Sequence, residues 1–546
     1  MRRNRDISLS RSLQEKRPAV LKRRMKRYDG EVDFCIVGAG AAGSVLAKEL
    51  AEAGHSVVVL EAGPWLDTFD DMVNDELTML QGQLDWTGLR ITTGANPIQT
   101  GRVNTGWGVG GSTVHYTAAT LRLHAHDFRV RSTDGVADDW PIEYKDLGPY
   151  YNKVESELGV SGPLYFPWGE FRGPFPTGPL PMNARDELLA EGMVRIGLTP
   201  SVCPHAVITA PWDGRSPCMY YGFCIHGCKS MAKSSTLVTY IPKAVKAGAE
   251  IRHGCMAFRV DHGSDDRVTG VSYFDPDGLE RRQRAKAVIV SGYAIETPRL
   301  LLNSASSRYP DGLANSSGIV GRNFMVHLGD NVFGRFDEPL DSFVIPPVGV
   351  VNQDRYRTDP SKDFVRGYSL EAYMLFPLEF ATALVQDNPH LWGKRLIEIL
   401  DDYDRFALIG LVGEVLPSDK NFVTLADEKD EHGIPVAKVA YTQDENSKRM
   451  AADGVKLCED IMMAAGARET HATNGTIHLL GTCRMGDDPK TSVVDRWCRS
   501  HDIPNLFVCD GSVFVTGGAV NPSLTIQAIA TRTADYLKQA ARRGEL

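Results

Sequence analysis

Residues 32–63 read VDFCIVGAGAAGSVLAKELAEAGHSVVVLEAG, and the fold follows from this stretch. Phe34-Cys35-Ile36-Val37 is a short apolar run of the kind that forms a buried parallel strand. It ends in Gly38-Ala39-Gly40-Ala41-Ala42-Gly43, and a helical pattern follows over 44–53. A second apolar strand is predicted over 56–60, closed by Glu61. Gly38 permits the tight turn, Gly40 lets backbone approach a pyrophosphate, and Gly43 lets helix and strand pack closely. The helix start adds free N–H groups and a positive dipole end. Glu61 follows the glycines by about 20 residues, where a carboxylate accepts from ribose hydroxyls. A GxGxxG alone is weak; strand, helix, strand and acid in this order predict a dinucleotide-binding unit.

Outward from this unit, the bulk numbers are those of a globular protein. The chain has 546 residues, 24% charged and 42% hydrophobic, enough for two large domains. A net charge of −9 argues against nucleic acid as the main partner. No apolar run approaches the ~18 residues of a membrane span. Ten cysteines are too sparse for a disulfide scaffold, though three of them cluster. Residues 1–29 differ: the first 27 hold eleven Lys or Arg against two acids, and no hydrophobic segment follows the arginine pair. They are expected to be a basic, disordered extension without a secretory signal, or a docking arm for an acidic partner or lipid surface. Met25 is an alternative start.

The predicted organisation is an α/β nucleotide-binding domain assembled from separate segments, with an α+β domain inserted. Its parts are 30–135, 234–329 and 476–546. Loops and the cysteine cluster occupy 136–233, and 330–475 forms the second domain, around a mostly antiparallel sheet. Gly106-Trp107-Gly108-Val109-Gly110-Gly111-Ser112-Thr113 places four glycines in eight residues, so Gly110, Gly111 and Ser112 are predicted to lie close to the cofactor, with His115 just after. Helices are expected over 144–158, 234–247, 297–302 and 523–541. Strands are expected over 251–261, 268–274, 287–290, 406–414, 422–425 and 505–509, with a hairpin turn at Asp275-Pro276-Asp277-Gly278. Residues 160–217 read as irregular. Asp510 and Gly511, past the last strand, are counted among the cofactor contacts.

Two late motifs carry the chemistry. His478 stands in IHLLGTCRMG (477–486), and Asn521 in GGAVNPSLTI (517–526). Asn521 precedes Pro522, so it lies at a helix entrance rather than inside the helix. Beside a flavin, a histidine could take a hydroxyl proton while an asparagine holds the substrate oxygen and also touches the cofactor. Alone, the two residues favour plain structural polarity. Cys218, Cys224 and Cys228 have the spacing C-x5-C-x3-C. Three thiolates in one glycine-containing loop can converge on a soft metal centre, and three ligands suit a three-iron cluster better than a cubane. Free structural cysteines, zinc with His226 as fourth ligand, and a disulfide with one thiol left over all remain open.

With these motifs, the chain resembles the glucose–methanol–choline oxidoreductases over 31–542. The resemblance rests on GAGAAG with LEAG, GVGGST, SGYAIETPRLLLNS (291–304), HLLGTCRMG and NPSLTIQAIA. It implies an FAD domain with a substrate domain over the flavin, His478 as catalytic histidine, and Asn521 at the second catalytic position, where members carry His or Asn. Within the family, DWPIEYKDLGPYYNKVESELGV (139–160) and VVDRWCRSHDIPNLFV (493–508) resemble catalytic subunits of bacterial FAD-dependent sugar and gluconate dehydrogenases. There the cysteine spacing matches the ligands of a [3Fe-4S] cluster. Residues 229–236 also resemble alcohol- and sterol-oxidising members, for which no cluster is implied. His115 matches a histidine that carries covalent FAD in some members and lines the flavin pocket in others.

The function expected is oxidation of a hydroxyl of a sugar, glycoside or sugar acid by hydride transfer to FAD. Electrons would leave through the iron–sulfur cluster to a small accessory subunit and a cytochrome or other acceptor. The alternative is an alcohol, sugar or sterol oxidase making hydrogen peroxide; hydroxynitrile lyases form a third, non-redox class in the family. With no signal of its own, the chain is expected to be cytoplasmic, or periplasmic by export with a partner.

Overall fold

A computed structural model describes residues 26–77, 88–98, 105–387 and 390–546. Most of the basic extension therefore lies outside the described residues. Where it enters them, Tyr28 donates from its backbone N–H to Glu250 and from its hydroxyl to the Gly248 carbonyl.

The first apolar run forms the strand Val32–Val37, flanked in parallel by Val57–Glu61 and by the end of Glu280–Val290. Glu250–His253 extends the sheet beyond Val57–Glu61, and Leu506–Val508 pairs with Glu280–Val290 on its other side. The central strands of this parallel sheet are nearly continuous in apolar residues, as in a sheet with helices on its faces, whereas the edge strand Glu250–His253 is mostly polar. The helix Ala41–Glu52 crosses from the first strand to the second and packs against the last helix, Ser523–Arg542. Glu280–Val290 is long enough to serve two partners. Its second half joins the parallel sheet, and its first half pairs antiparallel with Val268–Phe274, which pairs with Met256–His262.

The second unit is an eight-stranded, mostly antiparallel sheet. Its main order is Glu469–Thr473, Asn331–Arg335, Phe406–Glu414, Tyr368–Tyr373, Val348–Asn352 and Ser201–Val202. Met325–Leu328 and Thr476–Leu480 pair with each other at its border, and Met325–Leu328 also pairs with Phe406–Glu414. The helices Ala184–Arg195 and Glu445–Ala465 pack on it, around a core separate from that of the nucleotide sheet. The fold is an α/β nucleotide-binding unit joined to an α+β unit, as the patterning predicts.

Three local expectations are corrected. The strand expected over 251–261 is two strands, because Gly254 has φ +66° and its N–H turns to the Gly63 carbonyl. The helix expected over 234–247 forms only as Tyr240–Lys246. Its first residues are held elsewhere: Ser234 N–H donates to the Ala206 carbonyl and Thr236 N–H to Thr113 Oγ1. Within the segment read as irregular, Ala184–Arg195 is a helix. Asn183 accepts from the Asp186 N–H and Asp186 from the Asn183 N–H, a reciprocal cap visible in the spacing Asn-x-x-Asp.

Candidate active site

A cavity of about 540 Å³ runs between the two units and is lined by Gly38, Gly40, Glu61, Gly111, Ser112, His115, His478, Asp510, Gly511 and Asn521. That is within the usual size of ligand and cofactor sites. Most of the residues singled out in the sequence thus line one cavity.

At the nucleotide end, two of the motif glycines are sealed by the protein and one is open. A Cβ on Gly43 would lie 1.9 Å from the Gly38 carbonyl oxygen, and one on Gly38 2.4 Å from the Ser291 oxygen. A Cβ on Gly40 would meet nothing nearer than Gly111 Cα at 3.9 Å, so its open side faces the cavity. The glycine-rich loop closes on this turn: Gly110 N–H donates to the Ala39 carbonyl at 2.9 Å, and Gly110 has φ +100°. Gly111 opens the short helix Gly111–Val114, and Ser112 Oγ accepts from the Gly106 N–H at 2.9 Å. His115 follows it, buried on the cavity wall.

Two acids frame this end. Glu61 accepts from the N–H groups of Ala39 and Gly63, each at 2.8 Å, and burial raises its pKa. Asp510 accepts from Tyr293 N–H, Thr297 Oγ1–H and Ser512 N–H at 2.6–2.8 Å. It ties the end of Leu506–Val508 to the start of the helix Tyr293–Asn303. The open glycine backbone, the helix start and the cavity-facing carboxylate fit a dinucleotide with its pyrophosphate over Gly40 and its ribose near Glu61.

At the other end, His478 sits in the strand Thr476–Leu480 with φ +58°, a conformation rare outside glycine. Its Nδ1 lies 3.1 Å from Nδ1 of His327, with the rings edge-on at 86°. Burial, reinforced by His327, holds the His478 pKa well below 6.5. His327 is wholly buried against the backbone of Gly517 and Gly518, and burial lowers its pKa to about 4. Both imidazoles are therefore neutral at neutral pH and share one proton between their Nδ1 atoms. With that proton on His478, its Nε2 keeps a lone pair and can act as a base. Asn521 is buried before the helix Ser523–Arg542, and its Oδ1 has no hydrogen-bond partner among the described residues.

His327, Glu371 and Tyr373 were not singled out in the sequence. Each lies in a strand of the second sheet whose pattern gives no sign of chemistry; His327 meets His478 through the pairing of Met325–Leu328 with Thr476–Leu480, a contact between strands about 150 residues apart in the chain.

The cysteine loop reaches this cavity through Ile225, which lines it. Cys224 is buried, Cys218 and Cys228 are half-buried, and all ten cysteines are free thiols. Burial raises the Cys224 pKa to about 12, and the neighbouring thiols add to the rise. Lys233, wholly buried, donates from Nζ to the carbonyls of Val114, Tyr116 and Cys224, tying this loop to the backbone on either side of His115. Among the described residues, no group of three or more His, Cys, Asp or Glu is placed to hold a metal ion.

Models of the GMC oxidoreductase family match residues 32–329 and 417–530. The chain belongs to the GMC oxidoreductases. It is 32% identical to the 2-methyl-1,2-propanediol dehydrogenase of Mycolicibacterium austroafricanum, over 93% of this chain and 95% of that one. It is 31% identical to the fructose dehydrogenase large subunit of Gluconobacter japonicus, over 94% and 98%. The paromamine 6'-oxidase of Streptomyces fradiae is 32% identical over 92% and 90%. Formate oxidase of Aspergillus oryzae has the same fold, with a TM-score of 0.70 over 95% of this chain and 100% of that one at 18% identity. This GMC oxidoreductase is accordingly an FAD-dependent enzyme of CH–OH groups, and the cradle at Gly40 is the part of the cavity that fits the FAD pyrophosphate. Among the described residues, no helix is long and apolar enough to cross a membrane.

Proposed function

We propose that this GMC oxidoreductase is a dehydrogenase that converts a hydroxyl of a sugar, glycoside or sugar acid to a carbonyl. The observation that carries the chemistry is the His327–His478 pair, which leaves a neutral imidazole on the same cavity as Asn521. His478 Nε2 accepts the hydroxyl proton, and its Nδ1 stays oriented by His327. Asn521 holds the substrate oxygen by hydrogen bond and steadies it as negative charge grows there. When bound, FAD supplies the acceptor for the carbinol hydrogen, which leaves as hydride. The apolar walls of the cavity exclude water from the reacting atoms.

Two relatives that span nearly the whole chain are dehydrogenases, and one of them is a large subunit, which favours a partner subunit and an acceptor other than oxygen. An oxidase making hydrogen peroxide is the second reading, favoured by the equally similar paromamine oxidase. The C-x5-C-x3-C spacing supports a [3Fe-4S] cluster on Cys218, Cys224 and Cys228; the mechanism above does not depend on it.

His478→Ala tests the central role. The variant is expected to retain FAD, while the rate at which D-fructose or 2-methyl-1,2-propanediol bleaches the flavin anaerobically falls by about 100-fold or more. Bleaching at the parent rate would remove His478 from the role of base. Oxygen uptake against artificial-acceptor reduction then separates oxidase from dehydrogenase.

A further inference from the structure

Asn521 is carried by residues 514–522, which run buried into the helix Ser523–Arg542 and form neither helix nor strand. Buried backbone groups need partners, so whatever satisfies them also decides where this loop runs. At Ala519, two residues before Asn521, both partners are side chains of the second unit. The Ala519 N–H donates to the Tyr356 hydroxyl at 3.2 Å, and the Ala519 carbonyl accepts from Ser369 Oγ at 2.6 Å. Ser369 Oγ in turn accepts from Gln353 Nε2 at 3.1 Å, which leaves its own proton for Ala519.

Tyr356 is itself anchored. Its hydroxyl donates to Asp127 Oδ2 at 2.6 Å, and its ring stacks on His124 with centroids 4.0 Å apart. The other oxygen of Asp127 accepts from Arg366, a wholly buried guanidinium that also donates to Asp134 and Glu414 at 2.6 and 2.7 Å. No member of such a cluster moves without stranding a buried charge, so the Tyr356 hydroxyl is a fixed point. The same loop also presses on the neighbour of His478: a Cβ on Gly517 would lie 2.7 Å from Nε2 of His327. Neither Tyr356 nor Ser369 lines the cavity. We propose that Tyr356 and Ser369 are positioning residues, which grip the Ala519 peptide at its N–H and its carbonyl and so set where Asn521 presents its amide to the substrate oxygen. This rests on Asn521 facing the substrate, as proposed above.

The test is a double-mutant cycle on the holoenzyme, with Tyr356→Phe and Ser369→Ala each made alone and together with Asn521→Ala. Tyr356→Phe keeps the ring on His124 and removes only the hydroxyl. Anaerobic flavin bleaching by D-fructose and by 2-methyl-1,2-propanediol gives the limiting rate. Each grip variant is expected to lower that rate roughly tenfold with FAD content unchanged, because a displaced amide loses its hold on the transition state. In the Asn521→Ala background the same substitutions are expected to cost less than about twofold, since the amide they position is gone. A residue that only stabilises the fold would slow both backgrounds alike, so equal factors overturn the proposal. Amide hydrogen exchange over 516–521 is a readout independent of turnover, and it should quicken in both grip variants. Unchanged exchange there overturns the proposal even if neither probe bleaches the flavin. Bleaching by Asn521→Ala at the parent rate would instead remove Asn521 from the substrate oxygen, and the proposal would fall with that reading.

Discussion

The nucleotide cradle and the cysteine loop both rest on short motifs in which a few special residues recur at fixed spacing, and they are in different physical states. In the cradle, backbone makes the site. Gly38 and Gly43 are sealed by backbone oxygens, Glu61 is held by two N–H groups, and the open face of Gly40 remains for a ligand. In the cysteine loop, side chains must make the site. Cys218 and Cys228 are half-buried, Cys224 is buried with its thiol pushed up to about 12, and no metal-holding group is assembled among the described residues. A site made of backbone is completed by folding itself. A site made of thiolates needs the metal to bring them together and to offset the cost of removing their protons.

The sharpest way to break this comparison is to add one methyl group to the cradle. Gly43→Ala should cost about 3 kcal/mol or more, because the new Cβ meets the Gly38 carbonyl at 1.9 Å, and FAD content should fall with it. Thermal unfolding and the flavin-to-protein absorbance ratio check this; near-parent values for both would show that the turn is not tightly packed.

The cysteine loop is tested by composition. If a cluster forms there, anaerobically purified protein contains iron and acid-labile sulfide, and Cys224→Ser loses both while keeping FAD. Parent protein free of iron and sulfide would leave these cysteines as packing residues.

The smallest effect lies in the helix that follows the cradle. Burial alone would raise the Glu49 pKa, but the hydrogen bond from Lys153 and the charges of Lys48 and Lys538 outweigh it and hold it at about 2. A carboxylate whose pKa is lowered on folding adds stability above its unfolded pKa, and that stability is lost as pH falls through the folded one. Parent and Glu49→Gln should therefore differ in melting temperature at neutral pH and converge as pH drops from about 4.5 toward about 2. A gap that stays constant over that range would show that the clamp between helices contributes through packing alone.

How much could be read in advance depended on whether a signal was local. Phe406–Glu414 and Tyr144–Leu158 form with the boundaries their patterns predict. The helix is set by an acid pair at its start and by Gly159 at its end, all within a few residues. The predicted strand over 251–261 failed at Gly254 because its N–H has a partner about 190 residues earlier in the chain, and the helix start at 234–239 was lost to carbonyls and hydroxyls from other segments.

The sequence by itself determined the nucleotide unit, the family and the candidate pair His478 and Asn521. These follow from glycine spacing, apolar periodicity and short motifs, which act over one or two turns of chain. Only the tertiary structure decided that His327 lies 3.1 Å from His478, that Glu371 is wholly buried, and that Lys233 joins the cysteine loop to the backbone around His115. Those residues come from strands and loops distant in the chain. Their behaviour is set by burial and by the neighbours that folding provides, and neither is encoded in the residues beside them.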